Sequence, residues 1–328
     1  MSPRARIIVI AGAAACLAAG GTVALAVITS NGKGGNESKP VPLTGTPPLA
    51  LDLGVRTDPE ARALRRAEGL YSPPRPRRAA AGRIFARFHS PAAQIGAAFS
   101  AWPDDGLAKL EQLAKEHPDD SLVQLHLGYA NLWAGNSEAA AAAWKRASSA
   151  EPDTMSAQRA DDALHPGFPP GEPTFVPSFA PPAELAKLSP PRQYELLAKA
   201  AAKPDAHAKL LYGVALQRLG RRLSARRQYD EAARLAPDNP ETQVAAAVGR
   251  FDKSNPSAAF SRLGPLAKRY PRAATVRFHL GLMLLWLARA QPGALAQGKR
   301  QLRLARKEEP DSPLAREAKR LLDGLEGV

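Results

Sequence analysis

Six apolar-periodic stretches of this chain each close at a proline: Pro118, Pro152, Pro204, Pro237, Pro271 and Pro310. Proline lacks the backbone N–H and its ring clashes with the preceding turn, so it stops a helix. Five of the six are followed by aspartate (Asp119, Asp153, Asp205, Asp238, Asp311), and Arg272 stands at the sixth place. An Asp, Asn or Ser just beyond the stop can accept the orphan N–H groups of the next helix. In "PDNPE" Asn239 is the expected cap with Pro240 in the first turn, and "PDSP" at 310–313 repeats the device. The interval is 34 residues from Pro118 to Pro152, 33 from Pro204 to Pro237 and 34 from Pro237 to Pro271. A fixed period in this range marks a stacked array of helix pairs. Period-two alternation is scarce, and apolar residues recur three or four apart in Ala-, Leu- and Arg-rich runs, so the fold class is all-α.

Within each period the first helix carries a small residue at a matching place: Gly128, Gly213, Ala247 and Gly281. Together with the residues around and after them, these positions resemble the tetratricopeptide repeat family, whose pattern runs W-x2-L-G-x2-Y, then A-x3-F, then P. Residues 206–239 fit best, with Tyr212, Gly213, Leu216, Ala225, Tyr229, Ala232 and Pro237. Residues 121–154 supply Leu127, Gly128, Ala140, Trp144, Ala147 and Pro152; residues 240–273 supply Ala246, Ala247, Ala259, Leu263, Leu266 and Pro271. A unit from 274 has Leu280 and Gly281, then five extra residues before Pro310. The family's leading Trp is replaced by Gln124, Lys209, Gln243 and Arg277, and Pro265 inside a helix is expected to kink it. Lone second-type helices are expected at 103–117 and 190–203, and a terminal capping helix from 311. The resemblance covers roughly half the chain. It implies a non-catalytic solenoid that binds a protein or peptide partner in a groove lined by first helices.

Ahead of the repeats, residues 7–28, "IIVIAGAAACLAAGGTVALAVI", carry no charge. As a helix they would span roughly 33 Å, enough for a bilayer's hydrocarbon core. Arg4 and Arg6 precede the run and favour a cytoplasmic N-terminus. The expected reading of residues 1–28 is a single-pass membrane anchor with the rest of the chain extracytoplasmic. A cleaved signal peptide, cut near "ALA" at 24–26 to release a secreted protein, is the alternative, and a lipid-modified Cys16 ranks third. Residues 29–56 read as a flexible linker. Residues 57–102 read as a helical, basic lead-in, with a helix started at "TDPE" by Thr57 as cap, and with the densest arginines between 71 and 88 on a solvated face or against a polyanion.

The two repeat blocks, 103–164 and 189–328, are separated by residues 165–188. The core of that segment, "HPGFPPGEPTFVPSFAPP", holds seven prolines and three of the chain's nine phenylalanines. Proline keeps it extended, and its aromatic content is high for a disordered linker. Phe168, Phe175 and Phe179 are therefore expected to pin it as a strap on a helical surface, with a mobile linker as the alternative.

No catalytic constellation is visible. The six histidines form no H-x-x-x-H pair, there is no phosphate loop or nucleophile elbow, and one cysteine excludes a disulfide within the chain and a thiolate cluster. No metal, cofactor or enzymatic activity is expected. Acid pairs at 104–105, 119–120 and 161–162 read as helix starts. The net charge of +14 allows an anionic surface, a membrane or wall polymer, as a second kind of partner; nucleic acid is disfavoured because no basic stripe is interleaved with aromatics. One internal echo stands apart: "LHLGYANLW" (125–133) and "FHLGLMLLW" (278–286). His126, Tyr129 and Trp133 share a helix face, as do His279, Leu282 and Trp286. These six are the candidate partner contacts, with ordinary packing between helices as the competing reading.

Overall fold

The computed structural model describes residues 42–326, apart from 73 and 75. The described elements are helical, with no strand among them. They form two compact units, divided between Pro166 and Gly167.

The first unit holds α1 (Pro59–Tyr71), α2 (Arg78–Phe85), α3 (Pro91–Ser100), α4 (Gly106–Glu116), α5 (Ser121–Trp133), α6 (Ser137–Ala150) and α7 (Met155–Leu164). The second holds α8 (Pro190–Ala201), α9 (Ala206–Arg218), α10 (Arg222–Leu235), α11 (Pro240–Val248), α12 (Ser257–Arg269), α13 (Ala274–Trp286), α14 (Ala294–Glu308) and α15 (Pro313–Glu326). Within each unit, each helix packs on the next. In addition α1, α3, α5 and α7 touch in succession, as do α9, α11, α13 and α15. That is the contact pattern of stacked helix pairs: each first helix meets its own second helix and the next first helix. The six period-setting prolines stand two or three residues beyond the ends of α4, α6, α8, α10, α12 and α14. Asp120, Asp205 and Asn239 accept N–H groups of the following first turn, at 2.8 Å or slightly longer.

The small residues set how closely the paired helices approach. A Cβ at Gly128 would collide with the Trp144 indole, and one at Gly213 with the Tyr229 ring. Both aromatic partners lie sixteen residues on, in the second helix of the pair. The same step from Ala247 reaches Leu263, a smaller side chain that leaves room for a Cβ. From Gly281 the step with its five extra residues reaches Leu302. Ala140, Ala147, Ala225, Ala232 and Ala259 are buried between helices. Polar residues at the family's Trp position tie each first helix to the turn or helix before it. Gln124 donates to the Pro118 carbonyl, Lys209 to that of Ala201, Gln243 to that of Ala233 and Arg277 to that of Pro271.

Several expectations need correction. Residues 42–56 are not a flexible linker: Leu49, Leu51 and Leu53 are buried. Their period-two spacing puts three apolar side chains on one side of an extended chain. The lead-in is part of the first block, because Leu64, Tyr71, Phe85 and Phe99 share one core with Leu110, Leu125 and Trp144. The helix at 106–116 is accordingly not lone, since α3 packs against it. Asp58, not Thr57, caps α1, accepting the Ala61 N–H at 2.9 Å; with Pro59 at the first helical position, the N–H it must reach lies three residues on. Asp161 and Asp162 lie in the last turn of α7, where Asp161 faces His165 at 3.1 Å, and do not start a helix. Pro265 does stand inside a helix, α12, as expected. The anchor expected at 7–28 lies outside the described residues; among those described, no helix is long and apolar enough to cross a membrane.

Candidate functional site

The two echoed histidines do one job. The sp2 nitrogens of a neutral imidazole are one donor and one acceptor. In α5, Nδ1 of His126 lies 2.7 Å from the Leu122 carbonyl one turn back, so it carries the proton and donates. Nε2 is then an acceptor, and it takes the backbone N–H of Ala50 at 3.2 Å. In α13, Nδ1 of His279 donates to the Thr275 carbonyl at 2.7 Å, and Nε2 accepts the backbone N–H of Val176 at 2.9 Å. Each first-helix face thus holds an extended segment of its own chain by one amide. Both rings are wholly buried, and burial lowers both from the ordinary 6.5 to about 4. They are therefore neutral at pH 7, as the acceptor role requires.

Further contacts fix each strap. In the first unit Leu43 donates its N–H to the Trp133 carbonyl, and Tyr71 its hydroxyl to that of Pro47 at 2.6 Å. Glu68 accepts the Leu51 N–H at 2.8 Å, Arg159 donates to the Ala50 carbonyl, and Asp52 accepts the first N–H of α7, that of Met155. In the second unit Gln217 accepts the Phe175 N–H at 3.1 Å and also the Tyr229 hydroxyl at 2.7 Å. The repeat-defining tyrosine thereby positions the side chain that holds the strap. Glu241 accepts the Ser178 N–H, and Arg222 pairs with Glu172 at 2.5 Å. Phe175, at 1% exposure, stacks on His279 and meets Tyr229 edge-on. Phe179 stacks on His207, and Phe168 meets Phe251 edge-on. Burial raises both Glu68 and Glu241 above the ordinary carboxylate value.

Aligned on the amides that the histidines hold, the straps read "GTPPLALDL" (45–53) and "GEPTFVPSF" (171–179). Gly45 and Gly171 both sit at φ 85°, a left-handed turn that glycine enters without a Cβ clash. Proline follows two residues later in each, and apolar side chains stand four apart: Leu49 with Leu53, Phe175 with Phe179. Both straps run from the C-terminal ends of the first helices toward their N-terminal ends. One passes from Trp133 to His126 to the start of α7, the other from Gln217 to Glu241 and His207.

Of the six candidate contacts, only the histidines touch a strap through their side chains in hydrogen bonds. Trp133 and Leu282 are buried in their units' cores, as is Trp286, which meets Phe251 edge-on. Tyr129 is half-buried with its ring against Trp144 and His126. Gln217 escaped the sequence reading, yet a signal existed. Its register, four after the small residue, is otherwise filled by Leu132, Phe251 and Leu285. Glu68, a carboxylate beside the buried Leu64, Ala67 and Tyr71, is a second such departure. Among the described residues no three His, Cys, Asp or Glu are grouped to hold a metal ion.

No protein-family model and no curated protein matches the chain. Solved structures overlap with it. The APC/C hetero-tetramer Cut9-Hcn1 is 16% identical over 79% of this chain and 54% of that one, at a TM-score of 0.31. Yeast Tom70 is 14% identical over 81% and 48%, at 0.30. The C-terminal part of a TPR repeat-containing protein from Cytophaga hutchinsonii is 13% identical over 78% and 98%, at 0.29. The chain spans about half the length of the first two. Overlaps of this size carry no information about function.

Proposed function

We propose that the chain is a non-catalytic, tetratricopeptide-type scaffold that binds a protein or peptide partner, held at a membrane by residues 7–28 with its soluble part extracytoplasmic. The observation behind it is the duplicated holding of an extended peptide. Each first-helix face presents a buried imidazole acceptor to a backbone N–H and takes up apolar side chains of a proline-containing segment. Backbone capture with side-chain burial is how extended peptides are recognised in general. A partner segment of the same type, glycine-x-proline followed by two apolar side chains four apart, would compete with the straps.

The test is a crosslinked pull-down of the full-length protein from its own cells, washed in high salt. Beside it goes a Phe175→Ser/Phe179→Ser variant shown by circular dichroism to be helical. The reading expects a discrete protein partner that survives salt and is captured in greater amount once the second strap is loosened. Capture of salt-labile, heterogeneous anionic material alone would sink it and favour a basic module that holds an anionic surface.

A further inference from the structure

The chain's positive charge is not spread evenly. Residues 167–328 hold 27 Lys and Arg against 15 Asp and Glu, a net of +12, while residues 42–166 hold 14 against 15, a net of −1. Both units stack helix pairs in the same way, so the stack itself does not demand the charge.

Register concentrates it. Arg234, Lys268 and Lys307 occupy one position in the successive second helices α10, α12 and α14, once the five extra residues before α14 are counted, and all three are exposed. The same position in α6 is Ser149. Arg227 and Arg300 share a second register, Arg262 lies one residue beyond it, and these too are exposed. A cation in the last turn is favoured by the helix dipole, which accounts for one per helix. It does not account for Arg227, Arg262 and Arg300, which lie in the first half of their helices. Arg269 and Arg272 are paired to Asp238 and Glu308 and add little to the row. Beside Arg234, Leu235 is one of two large apolar side chains left well exposed among the described residues, at 43%.

We propose that the second-helix face of α10, α12 and α14 lies against anionic phospholipid headgroups of the membrane to which the chain is tethered. Charge complementarity selects an anionic surface, and tether length selects the lipid. Thirteen residues, 29–41, separate the uncharged run from the described chain and span at most about 45 Å when extended. The described chain therefore begins, at residue 42, within that reach of the bilayer, which keeps anionic headgroups close at hand wherever the leaflet carries them. Attraction of a basic row to an anionic leaflet falls away within a Debye length, so contact is salt-sensitive. The proposal rests on the membrane-tether reading, and the experiment separates the two.

Full-length protein is incorporated into phosphatidylcholine vesicles and into the same vesicles containing phosphatidylglycerol. Reaction of surface lysines with an amine reagent is then followed by mass spectrometry. Co-flotation with the neutral vesicles reports the tether alone. Lys268 and Lys307 are expected to be slowed in the anionic vesicles only and at low salt only, while Lys109 and Lys145, exposed in the first unit, react equally in both. An Arg234→Gln/Arg262→Gln/Arg300→Gln variant keeps the reporter lysines and loses the slowing, at roughly fivefold in contact affinity per cation. Equal lysine reactivity in the two vesicle types, with the protein afloat in both, overturns the proposal and leaves the tether standing. Failure to float with neutral vesicles overturns the tether; flotation with the anionic ones that the arginine variant abolishes would still uphold the face, and none at all would overturn it. Slowing of Lys268 and Lys307 by inorganic polyphosphate in detergent but not by anionic vesicles would overturn the lipid in favour of a soluble polyanion.

Discussion

Acid should loosen both straps through their histidines, and the size of the effect comes from the geometry. Protonating Nε2 would turn an acceptor into a donor facing the N–H of Ala50 or Val176. Between pH 6.5 and about 4 the unfolded chain binds the proton and the folded chain does not. Stability is therefore complete above pH 6.5 and declines as pH falls toward 4. At ~1.4 kcal/mol per pH unit, each histidine accounts for about 3 kcal/mol over that window. Glu68 and Glu241 act with the opposite sign: their folded values are raised, so their burial costs stability as pH rises through them. Wild-type pH profiles mix the two, and subtraction of a His279→Gln variant isolates the ring. Glutamine offers a donor and an acceptor and does not titrate. At pH 7 the variant should be less stable by about 1–3 kcal/mol, for a strap N–H left poorly paired. By pH 4 the gap should close. The assay is denaturant-dependent amide exchange read by mass spectrometry on peptides of each unit separately, with His126→Gln as the matching test of the first unit. A gap that stays constant from pH 7 to pH 4 would refute the acceptor assignment.

The same contacts set other outcomes. Phe175→Ala should cost the second unit about 3–5 kcal/mol in chemical unfolding, the range for a buried aromatic, with Phe168→Ala costing less because that ring is half-buried. Gly213→Ala should destabilise by about 1–3 kcal/mol through collision with Tyr229, and Gly213→Ala combined with Tyr229→Leu should recover part of the loss, as the Ala247 and Leu263 pair shows is possible. Asp58→Ala should lower the denaturation midpoint while Thr57→Ala leaves it unchanged, since only Asp58 accepts the Ala61 N–H.

The array was legible because its punctuation is chemical. A proline that cannot continue a helix, a carboxylate that caps the next, and glycines sixteen residues ahead of Trp144 and Tyr229 are local signals repeated at a fixed interval. The start of the first block was hidden. Residues 57–102 carry arginines that drew attention to the surface, while Leu64, Tyr71 and Phe85, which seat them in the core, obey no 34-residue pattern. The straps were half legible. Phenylalanines among prolines marked 165–182, but Leu49, Leu51 and Leu53 were masked by a Gly- and Pro-rich neighbourhood that reads as linker. The His126 and His279 echo located the right rings. What it could not supply is which backbone amide each ring holds, because partners 76 and 103 residues away leave no trace in spacing.

The central claim is that each unit keeps an extended segment of its own chain seated on its first helices. Amide exchange of the intact protein at neutral pH measures this directly. The N–H groups of Ala50, Leu51, Phe175, Val176 and Ser178 all have side-chain acceptors, and they should exchange as slowly as those in the middle of α5 and α13. Exchange of these five amides at the rate of a free peptide, with the helices still protected, would contradict the account.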